Sequence, residues 1–125
     1  VAGDAVVGVY VAAPLCKEAK DAVAAEGRRE GEVKVRVACL DPVELGEFLD
    51  LAQVGANARR ATEDSASVAY VERRGPAVEF SQPILESAGI AFLAARSGRE
   101  AMARVLAAVG EGGGERAAVA DALEG

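Results

Sequence analysis

Three arginines, Arg73, Arg74 and Arg96, are the side chains best suited to holding an anion, because a guanidinium presents a planar fork of donors that matches a carboxylate or phosphate. With Gly75 and Ser97 beside them in sequence they form a candidate ligand-binding set: Arg73, Arg74, Gly75, Arg96 and Ser97. The competing reading makes the arginines solvated surface, where exposed pairs contribute little, and makes Ser97 a helix cap. Cys16 opens a helix directly after a strand, a place where thiol pKa falls. No base lies near it and the sequence has no histidine, so an inert or bridged cysteine is expected. Cys16 and Cys39 are too far apart for a CxxC redox motif and too few for a zinc cluster, which leaves two buried thiols or one disulfide.

Several chemistries are excluded outright. Without histidine there is neither a histidine-dependent triad nor the commonest metal ligand. A nucleotide or flavin site needs a glycine-rich turn after the first strand, and Val11-Ala12-Ala13-Pro14-Leu15 supplies none. A magnesium-dependent phosphoacceptor needs acids at the ends of the first and third strands, which here end in Ala13 and in Glu72-Arg73. No catalytic residue, metal or cofactor is expected, and the chain does not read as an enzyme.

The elements that position the candidate residues follow from hydrophobic period. Val6 to Val11 is a short β-branched run, the mark of a strand buried on both faces. Pro14 opens a helix with Leu15, Ala19, Ala22 and Val23 on one face, interrupted by Gly27 and Gly31. Val33, Val35 and Val37 alternate with Lys34 and Arg36, which predicts a second strand at a sheet edge. Asp41, Pro42 and Glu44 have the form of a helix start, predicting a helix over Leu45, Phe48, Leu49 and Ala52 that continues, kinked or as a second helix, through Val54, Ala58 and Ala61. Ala66 to Val71 is the third strand, with Glu72 to Pro76 as the loop after it. Phe80, Ile84, Leu85 and Ala88 mark a short helix closed by Gly89, and Ile90 to Ala94 is the fourth strand. Ser97 and Glu100 form a capping box for a helix built on Met102, Val105, Leu106 and Val109, broken at Gly110, and a last short helix carries Val119, Ala122 and Leu123.

Four β-then-α units predict a three-layer α/β sandwich of the flavodoxin-like kind, with a parallel sheet of about four strands in the order 2-1-3-4. Ligands in such sheets bind beyond the carboxyl ends of the strands where the order reverses. That edge carries Ala13 to Cys16, Asp41, Glu72 to Pro76 and Ala95 to Ser97. The chain is 125 residues long, one domain's worth, with 14 basic and 20 acidic residues and a net charge of -6. That balance argues against nucleic acid and against an anionic membrane surface. No apolar run approaches the roughly 20 residues that cross a bilayer.

The order of these pieces resembles the type I solute-binding proteins of ABC importers, within the branched-chain amino acid receptor group. GVYVAAPL and KDAVAAEG resemble their first strand and helix, and VKVRVACLDP the second strand with its terminal aspartate. GANARRATEDSASVAYV is the most specific stretch, similar to a helix and third strand, and FSQPILESAGIAFLAA resembles the next helix and strand. The segment from Ser97 onward resembles the far C-terminal helices of those receptors. The resemblance therefore implies a single lobe, with βα repeats over 1–95 and C-terminal helices over 96–125. It further implies a non-enzymatic, extracytoplasmic receptor, its signal peptide not present in this chain, that binds a small amino acid or carboxylate. Ser97 stands at a ligand hydroxyl position, and the face a second lobe would cover implies a homodimer or another protein partner. An interaction or structural module that kept the fold and lost solute binding is the alternative.

Overall fold

The computed structural model describes residues 5–124. The elements run β1 (Ala5–Val11), α1 (Ala13–Ala25), β2 (Arg29–Glu30), β3 (Val33–Cys39), β4 (Glu44–Leu45), β5 (Phe48–Leu49), α2 (Leu51–Thr62), β6 (Ser67–Arg73), α3 (Val78–Ser87), β7 (Ala91–Ala95), α4 (Gly98–Gly112) and α5 (Arg116–Glu124). Among the described residues the central sheet has five strands in the order β2-β3-β1-β6-β7. Strand count and order thus differ from the expected four. The addition is β2, a two-residue strand antiparallel to the start of β3, while β3, β1, β6 and β7 run parallel. The residues between β2 and β3 explain it: Gly31 takes a positive φ of 61°, so Gly31-Glu32 turns the chain back on itself instead of merely ending α1.

Strand alternation divides the core into two layers. Val9 and Val11 of β1, with Ala69 and Val71 of β6, pack under α1, α4 and α5 around Leu15, Ala19, Met102, Val105, Val109 and Val119. Tyr10 and Tyr70, paired across β1 and β6, face the other way and pack with Ala58 and Ala61 of α2 and Leu85 of α3. The Tyr70 ring stacks on Phe92 of β7 at 5.9 Å. Helices on both faces of a mostly parallel sheet make the three-layer α/β arrangement, and the last two helices belong to one of its layers.

Three expectations are corrected. The segment expected to begin a helix at Asp41-Pro42 is a hairpin: Glu44 pairs with Leu49 and Leu45 with Phe48 around Gly46-Glu47, with Gly46 at φ 63°. A glycine of positive φ at the first position of a two-residue loop is a primed hairpin turn, and it overrides the capping pattern upstream. The true helix begins at Leu51, where the Asp50 carboxylate accepts the Gln53 amide at 3.1 Å. In α3 the buried face is Ser81 and Leu85, while Phe80 and Ile84 are exposed. The α4 helix runs through Gly110 and ends at Gly113 in the left-handed conformation.

Candidate functional site

A cavity of about 440 Å³ opens at the carboxyl ends of β1, β3 and β6. One wall is Ala12, Ala13 and Pro14, where β1 passes into α1; the opposite wall is the segment from Leu40 to Glu44 that follows β3. Asn57 of α2 and Glu72 and Arg73 at the end of β6 complete it.

Each wall has its own restraint. The ladder continues past the strands, with the Ala12 amide donating to the Val71 carbonyl and the Leu40 amide to the Val11 carbonyl, both at 2.9 Å. A disulfide joins Cys16, in the first turn of α1, to Cys39, the last residue of β3, so it ties the two walls together just behind the cavity. It also rules out a free thiolate nucleophile at Cys16. From α2, the Asn57 side-chain amide donates to the Asp41 carbonyl at 2.9 Å, and an Arg60 guanidinium nitrogen donates to the Cys39 carbonyl at 3.0 Å. Asn57 is itself oriented by Gln53, whose amide donates to its Oδ1 at 2.9 Å.

The electrostatics rest on Glu72 and Arg73. Glu72 is only 4% exposed and is the one charged side chain buried among the described residues. Its Oε2 accepts the Ser81 hydroxyl at 3.1 Å and its Oε1 accepts the Arg73 amide at 3.2 Å. Burial nevertheless pushes its carboxyl above the usual range, because these bonds offset only part of the lost hydration. Arg73 turns to Glu44: Nε donates to Oε2 at 3.0 Å, and Nη2 reaches both carboxylate oxygens. The pair raises the already high pKa of Arg73, so its charge is fixed and already matched.

The five residues singled out in the sequence do not form one cluster. Arg73 alone lines the cavity. The Arg74 amide donates to the Ala95 carbonyl at 2.8 Å and its guanidinium lies 3.5 Å from the Ala94 carbonyl, so it closes the end of β7. Gly75 is an exposed turn residue against Arg73, where an added Cβ would lie 3.3 Å from Nη2. Arg96 is exposed. Ser97 caps α4 by accepting the Glu100 amide at 3.4 Å. Comparison with family models, curated proteins and solved structures finds no significant match.

Sequence reading placed Asp41 and Glu72 on this edge and passed over Asn57 and Glu44. Asn57 did leave a signal: it interrupts the apolar face formed by Val54, Ala58 and Ala61, and an amide on a buried face must have built-in partners. Glu44 left none, since its partner is 29 residues away.

Proposed function

We propose that this chain is a non-enzymatic, solute-receptor-like lobe, similar to the type I solute-binding proteins of ABC importers, that holds a small solute at the carboxyl edge of its parallel strands. The observation that carries the reading is the position of the cavity, at the point between β1 and β6 where the strand order reverses. Its apolar walls and few convergent polar groups are the composition of a small-molecule site, and its volume lies at the small end of the range for such sites, about 300–1,000 Å³. The resemblance of successive segments to the branched-chain amino acid receptor group supports the same reading. The disulfide is in keeping with an oxidising, extracytoplasmic location. α4 and α5 contribute nothing to the cavity lining, which is in keeping with a half-site that a second copy completes.

The alternative, an interaction module on the same scaffold, is favoured by the apolar tip beside the site. Phe48 is 78% exposed, with Leu45 and Leu51 more than half exposed beside it in sequence. A thermal-shift panel of amino acids and small solutes of either charge separates the two. A solute at one hundred times its Kd stabilises the fold by about 2.7 kcal/mol. No shift with any solute at millimolar concentration would favour the interaction module, and light scattering at micromolar concentration tests the dimer.

A further inference from the structure

The charges inside the cavity specify more than a small solute. Its lining holds three carboxylates, Asp41, Glu44 and Glu72, against the single guanidinium of Arg73. Arg73 is already engaged by Glu44, so an arriving carboxylate would find no unmatched cation in the lining and a surplus of negative charge. Glu72 is in the opposite condition. An ionised carboxylate offers about four acceptor positions. Its oxygens each accept one protein hydrogen bond, from Ser81 and from the Arg73 amide, which leaves acceptor capacity on a desolvated anion in the cavity wall. Apart from the Asn57 amide the remaining surface there is aliphatic, with Ala12, Pro14, Leu40 and Val43 the main contributors. Among the described residues no group of three or more carboxylates or thiols is placed to hold a metal ion.

We propose that the strand-end cavity binds a small organic cation, a primary ammonium on a short branched or linear hydrocarbon, with Glu72 as the counter-charge and the aliphatic wall covering its body. The inference rests on the cavity being a solute site, and it assigns the charge that a solute must carry. An ammonium donates up to three hydrogen bonds, and Glu72 and Asp41 are the lining carboxylates not paired with the Arg73 guanidinium.

The test is isothermal titration of the whole chain with isobutylamine and with isovalerate, which share one hydrocarbon body and differ in charge, with leucine as the probe that carries both groups. The expected result is saturable heat from isobutylamine, none from isovalerate, and a loss of affinity of at least tenfold for isobutylamine in Glu72→Gln. Arg96→Ala, outside the lining, should leave isobutylamine affinity unchanged. Binding of isovalerate but not the amine would overturn the cation assignment and leave solute binding standing. Binding of leucine alone would do the same, since it would show that a carboxylate is required. An amine response that survives Glu72→Gln, or that equal concentrations of sodium chloride reproduce, would overturn the role of Glu72. Silence from all three probes at ten millimolar would overturn this inference, while failure of the broader solute panel is what removes the receptor reading itself.

Discussion

Reducing the Cys16–Cys39 bridge should lower the melting temperature by about 13 °C. The bridge spans a sequence separation of 23 residues, and closing a loop of that length removes chain entropy from the unfolded state worth about 3.4 kcal/mol at 25 °C. A chain of 125 residues has an unfolding entropy near 0.26 kcal/mol/K, which converts that free energy into the stated shift. Three samples isolate the effect by circular dichroism: oxidised protein, the same protein in a phosphine reductant, and a Cys16→Ala/Cys39→Ala variant. The reduced wild type keeps both side chains, so its loss is the loop effect alone; the double variant adds the packing lost at the buried Cys16. The urea m-value should rise on reduction, because the freed chain exposes more surface when it unfolds. A shift under about 4 °C with an unchanged m-value would refute the reasoning. Since the bridge joins the first turn of α1 to the end of β3, reduction should also weaken solute binding at the cavity between them.

Glu72→Gln should stabilise the protein at pH 7 and lose that advantage on acidification. Burial raises the folded-state pKa of Glu72 above its unfolded value, so its stabilising contribution is complete below about pH 4.5 and is lost as pH rises through the folded value; melting curves of both proteins from pH 4 to 8 should converge at the acid end. Gly98→Ala should cost about 2 kcal/mol or more, because its Cβ would lie 2.2 Å from the Leu15 carbonyl oxygen and 2.9 Å from the Ala19 amide nitrogen, whereas Gly55→Ala, mid-helix with only the Arg59 guanidinium at 3.4 Å, should gain about 0.5–1 kcal/mol; urea titrations of both variants read the contrast. Arg73→Ala should cost less than about 1 kcal/mol, since the Arg73 and Glu44 side chains are both about one-third exposed and solvent screens the pair; the loss should shrink further in 0.5 M sodium chloride.

The parallel scaffold was legible because buried strands and amphipathic helices leave a period in the sequence. VVGVYV, ASVAYV and IAFLA each fall on a strand of the sheet, and Ser97 with Glu100 marks the start of α4 to the residue. Two of the differences have one cause. Gly31-Glu32 and Gly46-Glu47 are each a two-residue hairpin loop with a positive-φ glycine first; helical periodicity predicts only an interruption at Gly31 and a continuous helix across Gly46. The shared Gly-Glu pair was the available signal, but it carries no period, and a two-residue strand is too short to show alternation. The site was less legible than the fold because its decisive contact joins residues 29 apart. Arg73 and Arg74 are adjacent and chemically alike, yet one turns to Glu44 and the other to the carbonyls of β7. Gly98, which the close approach of α1 and α4 requires, carries no periodic signal either.

Glu72 is where the local structure and the fold disagree, and the disagreement is informative. Its two hydrogen bonds do not need a charge: a glutamine there would accept the Arg73 amide through its oxygen and donate to the Ser81 hydroxyl through its nitrogen. Ser81 could still donate to the Ala77 carbonyl, 3.1 Å away, so its hydroxyl would not be orphaned. The charged form is thus a net cost to folding that neutral chemistry of the same shape would avoid. What glutamine cannot supply is a full negative charge at the end of β6, facing a cavity whose only guanidinium is already matched. Positions that break a local rule without structural gain are expected at functional sites. A stabilising Glu72→Gln that also loses the amine response would tie that cost directly to binding.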